Sequence, residues 1–177
     1  MKKTNRINAN FEKVSLNQFN ENYNFNKGIA SNDIIESDYI HLRIPERKTS
    51  GSAGYDVIYP YSTSVILKSG DSIIIPTGIK AFMPEGFVLK AYPRSSYGFK
   101  YHVMLANTIG IIDQDYYNNE SNEGHIFIKL VNNGDKDLII NQGDAFAQMI
   151  FEQYFITIDD NVSDIREGGI GSTSKNK

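Results

Sequence analysis

The 177-residue chain contains no cysteine. That excludes a disulfide framework, a zinc knuckle and a thiol nucleophile. It also lacks any apolar run long enough to cross a bilayer as a helix. The first residues, MKKTNRINANF, are basic, but no apolar stretch follows them, so they do not read as a secretory signal. A cationic surplus is missing as well: 18 Lys and Arg stand against 21 Asp and Glu, for a formal net charge of −3. Strong binding to a nucleic-acid backbone needs many Lys or Arg to displace condensed counterions, and is not expected here. What remains is a chain that is 40% hydrophobic, enough for one cored domain. A soluble, cytoplasmic protein without a membrane or nucleic-acid partner is the expectation.

Residues 1–36 are rich in Asn, Lys and Ser and show no clear period. They read as a polar N-terminal extension, disordered or loosely docked, with Phe11, Phe19, Tyr23 and Phe25 available for partial packing. From Tyr39 the pattern changes. Short β-rich segments recur: YIHLRI, TSVIL, DSIII, GIKAF, GFVLKAY, HVML, HIFIKLV, DLII and AFAQMIF. Clusters such as Pro84-Glu85-Gly86, Asn132-Asn133-Gly134-Asp135 and Asn141-Gln142-Gly143-Asp144 separate them. Many alternate apolar and polar residues, as half-buried strands do. One short helix is expected, starting at Pro93-Arg94-Ser95-Ser96. The fold class is therefore all-β, a jelly roll or distorted barrel over residues 37–160, ending in a flexible arm at 161–177.

Several segments could carry chemistry. In GIIDQDYY (110–117), Asp113 and Asp115 would share one face of an extended strand, after Ile111 and Ile112 that look buried. A partly shielded Asp there can orient or deprotonate a water; a turn pair satisfying backbone amides is the plainer alternative. PRSSYG (93–98) puts two hydroxyls at the start of a helix, an anion seat or an ordinary cap. Arg94 could bind an anion or serve a structural ion pair. REGGIGSTS (166–174) has three glycines, Arg166, Ser172 and Thr173, which suits a loop folding over a polyphosphate. It lacks the spacing of a Walker A loop. Asp56 in GSAGYDV and Gln148 in GDAFAQMIF are more often structural polar groups than ligand contacts. His41, His102 and His125 have no metal-ligand spacing and read as solvated or packed.

Taken in order, five segments resemble the motifs of the trimeric-type dUTPase family: AGYD at 53–56, PRSS at 93–96, GIIDQDY at 110–116, GDAFAQMIF at 143–151 and GGIGSTS at 168–174. The resemblance implies hydrolysis of dUTP to dUMP and pyrophosphate. It implies that Asp113 holds the water attacking the α-phosphate and that Tyr116 lies under the deoxyribose. Asn107 would read the uracil, with Gly110 and Ile112 completing that part of the pocket. Arg94, Ser95, Ser96 and Gln148 would bind phosphate oxygens. Asp56 would support the phosphate and Mg²⁺-water network. Arg166, Gly171, Ser172 and Thr173 would clamp the outer phosphates as the C-terminal arm closes. The Mg²⁺ would be held by the triphosphate and waters rather than by protein ligands, in keeping with its reluctance to dehydrate. The implied assembly is a homotrimer with shared sites, in which Asp113 and Ser95 of one chain serve different sites.

Some positions depart from the family pattern, as in a divergent bacterial or phage-like member. Ile170 stands where an aromatic usually covers the uracil, and Phe127 is a candidate substitute. Glu167 separates Arg166 from the Gly pair. Asn118 to Gly124 reads as an enlarged loop, Ala145 stands where Arg is frequent, and Ser96 where Gly is common. Two rivals follow. A dCTP deaminase shares the fold, but GHIFIKL places Lys129 where that family needs a proton-shuttling glutamate. A regulatory protein on the same fold would bind a repressor partner through the Asn-rich extension and the 118–124 loop.

Overall fold

The structure is a computed structural model and describes residues 6–23, 31–164, 166 and 168. The turn clusters fall between strands, as their chemistry demands. Eleven strands and three α-helices occur among the described residues, so the fold is mainly β. The longest strands make the backbone of one sheet. Here β2 (Tyr55–Ile58), β11 (Ala145–Gln153), β6 (Phe87–Pro93) and β8 (Gly110–Ile112) lie side by side in that order. A second sheet orders β4 (Ser72–Pro76), β9 (Phe127–Asn132) and β7 (Val103–Leu105). Two pairs complete the set: β3 (Val65–Leu67) with β10 (Leu138–Ile140), and β1 (Asn10–Lys13) with β5 (Ile79–Phe82). Every pairing is antiparallel. Alternation along the strands feeds one core that includes Leu89, Leu105, Leu130, Ile140, Phe146 and Met149.

The extension is where the structure departs most from the sequence reading. Residues 10–23 and 31–41 are not a loose arm. Strand β1 pairs with β5 from Asn10↔Phe82 to Lys13↔Ile79. It leads into α1 (Leu16–Tyr23), whose first turn is capped by the Ser15 hydroxyl accepting from the Gln18 N–H at 3.1 Å. Helix α2 (Asn32–His41) follows, so the boundary expected at residue 36 falls inside a helix. The segment YIHLRI, expected as a strand, supplies the last turn of that helix. Three α-helices replace the one expected, the third being α3 (Ser95–Tyr101) where PRSS predicts it.

Burial explains why the extension is ordered. Val14, Phe19, Tyr23 and Ile35 are fully buried or nearly so. Phe19 stacks on Tyr61 with centroids 5.8 Å apart, and Tyr23 meets the same ring edge-on at 5.0 Å. Beneath them Asp38, 1% exposed, accepts hydrogen bonds from the Tyr23 hydroxyl and from the Ser62 backbone N–H at 3.0 Å. Burial and the bond to Asp38 push the Tyr23 phenol well above its ordinary pKa.

Candidate active site

Strand β8 is three residues long and lies at a sheet edge, so only one of its two isoleucines can face the core. That residue is Ile112. Ile111 is 56% exposed, a correction to the expectation that both are buried. The strand ends at Ile112, and Asp113 stands just before a 3-10 turn, Gln114–Tyr116, without its side chain capping it. The β7–β8 turn brings Asn107 to the same mouth, where Thr108 adopts a left-handed φ of 66°. The result is a cavity of about 490 Å³ bordered by Asn107, Gly110, Ile112, Asp113, Tyr116 and Arg166, with Phe127 and Lys129 on the opposing strand. That volume suits a small organic ligand. Gly110 sits so close to β6 that a Cβ there would lie 3.0 Å from the Ala91 Cβ.

The two acids meet one cation. Arg166 donates through Nη2 to Asp113 Oδ2 at 2.7 Å and through Nε to Asp115 Oδ1 at 2.8 Å. Its guanidinium also lies 5.7 Å from the centroid of the Tyr116 ring. The carboxylates are about half exposed while the Arg166 side chain is nearly covered. The acids thus share a side of the turn, as the sequence suggests, but through a 3-10 turn instead of a strand. Sequence reasoning did not assign Asp115 to the site, since its partner lies 51 residues away.

Tyr116 is fixed at its hydroxyl. It donates to the His125 carbonyl at 2.9 Å and accepts from Asn122 Nδ2 at 2.8 Å, so the ring cannot swing. Burial pushes its pKa up, outweighing the Asn122 bond and the nearby Arg166 charge. His125 is fully buried, and its Nε2 accepts from the Gly78 N–H at 2.8 Å. That ring must be neutral to accept, and burial pushes its pKa down to about 4. A depressed histidine pKa means the unfolded chain binds the extra proton first. Stability is therefore complete above the unfolded value and is lost as pH falls from there towards the folded one. Between about pH 6.5 and about pH 4.5 this group should remove about 2 kcal/mol. Urea midpoints across that range, with His125→Gln showing a distinctly flatter profile, check it; equal slopes for the two proteins count against it.

A second polar cluster lies elsewhere in the chain. Asp56, on β2, is buried and accepts from Arg94 Nη1 at the start of α3. Its other oxygen, Oδ2, has no hydrogen-bond partner among the described residues. Gln148, opposite Asp56 on β11, donates to the Pro93 carbonyl at 3.2 Å. A Cβ at Gly54 would lie 2.7 Å from Gln148 Oε1, so a larger residue there would push the Gln148 amide aside. Ser95 and Ser96 are exposed in the first turn of α3. None of these residues borders the Asp113 cavity. The register explains why: Ile112 lies opposite Leu89, whereas Ser95 follows the far end of β6. Leu89 to Pro93 is four residue steps of strand, about 13 Å, and Arg94 and Ser95 lie beyond it. Ile170, Gly171, Ser172 and Thr173 lie outside the described residues, as does Phe25.

Comparison with known proteins decides the family. The dUTPase family model matches residues 41–174. The chain belongs to the dUTPase family. A deoxyuridine 5'-triphosphate nucleotidohydrolase of Lactococcus lactis is 40% identical over 134 residues, which cover 75% of this chain and 88% of that protein. The enzyme of the same name from Rickettsia prowazekii is 38% identical over 135 residues, 73% of this chain and 87% of that one. Among solved structures, the dUTPase from Streptococcus mutans superposes with a TM-score of 0.61 at 30% identity, covering 84% of this chain and 98% of that chain. A Staphylococcus phage 80alpha dUTPase with dUPNHPP has a TM-score of 0.56 at 21% identity, over 75% of this chain and 92% of that chain, and shares the fold. Helix α1 and strand β1 precede the family match.

Proposed function

We propose that the dUTP hydrolysis characteristic of the family proceeds here by attack of a water, held by Asp113, on the α-phosphorus, giving dUMP and pyrophosphate. The observation that carries this reading is the placement of Asp113: a half-exposed carboxylate at the mouth of a cavity whose borders include Asn107, Gly110, Ile112 and Tyr116. Asn107 and the β8 backbone read the uracil, and the close approach of β6 at Gly110 leaves little space for a larger base. Tyr116, held at its hydroxyl, is the platform under the deoxyribose and crowds out a 2′-hydroxyl. Asp113 accepts a hydrogen bond from the water and takes its proton as the oxygen reaches phosphorus. The bond from phosphorus to the bridging oxygen breaks in line, and the charge leaves with pyrophosphate.

Arg94, Ser95, Ser96 and Gln148 form the phosphate seat. Its separation from Asp113 in one chain supports a homotrimer in which each site draws the two clusters from different subunits. Arg166, with Gly171, Ser172 and Thr173, closes on the outer phosphates, and in doing so leaves Asp113 free for the water. Mg²⁺ suits this arrangement: Asp56 presents a buried oxygen with no partner among the described residues, ready to accept from a metal-bound water. The ion would be held by the triphosphate and its waters, with Asp56 supporting that water network, and would supply positive charge beside the phosphate oxygens. A phage phi11 dUTPase of the same fold is described with a structural Mg(II) ion. A cytoplasmic setting follows from the nucleotide substrate.

The test is pyrophosphate release from dUTP, dCTP, dTTP and UTP under identical Mg²⁺. Values of kcat/KM should favour dUTP by about a hundredfold or more over dCTP, whose base would leave polar groups of the pocket unpaired, with UTP disfavoured by its 2′-hydroxyl against Tyr116 and dTTP by its added methyl group. Similar rates for all four would end the pocket reading. Release of ammonia from dCTP would favour the deaminase instead.

A further inference from the structure

The segment before the family match touches the substrate pocket's supports at two points. The first is Ser15. Its backbone N–H donates to Glu123 Oε2 at 2.9 Å and its hydroxyl donates to Glu123 Oε1 at 2.5 Å. Glu123 lies in the 118–124 loop and holds a left-handed φ of 56°, a conformation that a non-glycine residue keeps only when its surroundings enforce it. That loop is closed by the Asn118 N–H donating to the Glu123 carbonyl at 3.1 Å. It also carries Asn122, whose amide holds the Tyr116 hydroxyl. Beside it, the Tyr117 hydroxyl donates to Glu12 Oε2 on β1 at 2.9 Å.

The second point is Val14. Its N–H donates to the Gly78 carbonyl at 3.0 Å, and the Gly78 N–H in turn donates to His125 Nε2. The His125 carbonyl accepts the Tyr116 hydroxyl. Gly78 has φ +74°, and a Cβ there would come within 2.0 Å of Leu42 and 3.1 Å of Phe19, so the extension packs directly on this turn. Both routes, one through Glu123 and Asn122 and one through Gly78 and His125, end on the same phenol oxygen.

We propose that Ser15 is a positioning residue for the dUTP site, clamping Glu123 so that the 118–124 loop holds the Tyr116 ring under the sugar. The proposal rests on the reading of Tyr116 as the deoxyribose platform. The extension and the enlarged loop, which the sequence offers as separate surfaces for an outside partner, here satisfy each other. Nothing in the clamp reaches Asp113, so its loss acts on substrate binding more than on the chemical step.

The experiment compares Ser15→Ala, Ser15→Thr and Glu123→Gln with the unaltered protein, in steady-state dUTP hydrolysis and in amide hydrogen exchange. Ser15→Ala should raise KM about tenfold, with kcat falling by much less, and exchange at the amides of residues 118–124 should speed up about tenfold. Ser15→Thr keeps the hydroxyl and the helix cap and should restore KM. Glu123→Gln weakens the clamp from the other side without touching the cap, replacing one of its two acceptor oxygens by an amide and removing the charge that also pairs with Lys80 at 3.7 Å, and should shift KM the same way. In the double variant the effects should be less than additive. Unchanged loop exchange in Ser15→Ala and Glu123→Gln overturns the clamp. Faster exchange with unaltered KM overturns its role in the site. In that second case Tyr116→Ala separates the two ideas: a raised KM leaves the platform reading standing without Ser15, and an unaltered KM removes the platform reading as well.

Discussion

Asp113→Asn should abolish most turnover while leaving dUTP bound. The amide has nearly the carboxylate's shape, so the cavity between Asn107 and Tyr116 keeps its form. What it loses is the ability to accept the water's proton as the bond to phosphorus forms. General-base assistance contributes about a hundredfold to ten-thousandfold, so kcat should fall by roughly a thousandfold. Binding should hold or tighten, because one negative charge near the triphosphate is gone. Isothermal titration of the variant with dUTP, beside its rate of pyrophosphate release, separates the two effects. Asp115→Asn is the control. It is the same chemical change on the same turn, on the acid that holds Arg166 Nε instead of Nη2. Its loss should cost far less in kcat. A variant at 113 that keeps more than about a tenth of the rate, or one at 115 that loses as much as 113, would remove Asp113 from the chemical step.

The strands were legible because their punctuation is chemical. Pro84-Glu85-Gly86 and Asn141-Gln142-Gly143-Asp144 sit at turns whose glycines, Gly86 and Gly143, take φ of 80° and 89°. The runs between them alternate as half-buried strands must. The helix at PRSS was legible for the same kind of reason, a proline followed by hydroxyls. Helix α2 was not. Its buried positions, Ile35, Asp38 and Leu42, follow a helical spacing, but the middle one is an aspartate, so the apolar stripe is broken where a sequence reader looks for it. Helix α1 carries its period in just Leu16, Phe19 and Tyr23, too short a run to stand out in an Asn-rich stretch.

In the site, single residues were readable and their contacts were not. Asp113, Tyr116 and Asn107 lie within one short stretch, so local pattern brings them together. The meeting of Arg166 with Asp113 and Asp115 spans over fifty residues and depends on how the chain returns after β11. Asn122 looks like any polar loop residue, and only the fold shows that it grips the Tyr116 hydroxyl. The separation of Asp113 from Ser95 is a matter of register, since both flank strands of one sheet and only the β6–β8 pairing reveals that they stand at opposite levels.

The largest loss of stability should come from a residue outside the family match. Asp38→Ala removes one carboxylate that accepts from the Tyr23 hydroxyl, the Ser62 N–H and hydroxyl, and Gln142 Nε2. Alanine leaves the buried Tyr23 phenol, packed edge-on against Tyr61, without its acceptor, and frees the part-buried Ser62 N–H that the same carboxylate holds. Each abandoned buried donor costs about 1–3 kcal/mol, and charged acceptors lie at the upper end. The sum should be about 4 kcal/mol, which lowers the melting temperature by about 10 °C in a chain of this length. Asp38→Asn keeps an acceptor oxygen and should lose about half as much. The α1–α2 layer would then lose its buried anchor on the Ser62 turn, so limited proteolysis of Asp38→Ala should cut between β1 and β2 before the core unfolds. A melting temperature within about 2 °C of the unaltered protein would mean that the α1–α2 layer is a covering the domain does not need, and that the aromatic stack, not Asp38, holds it.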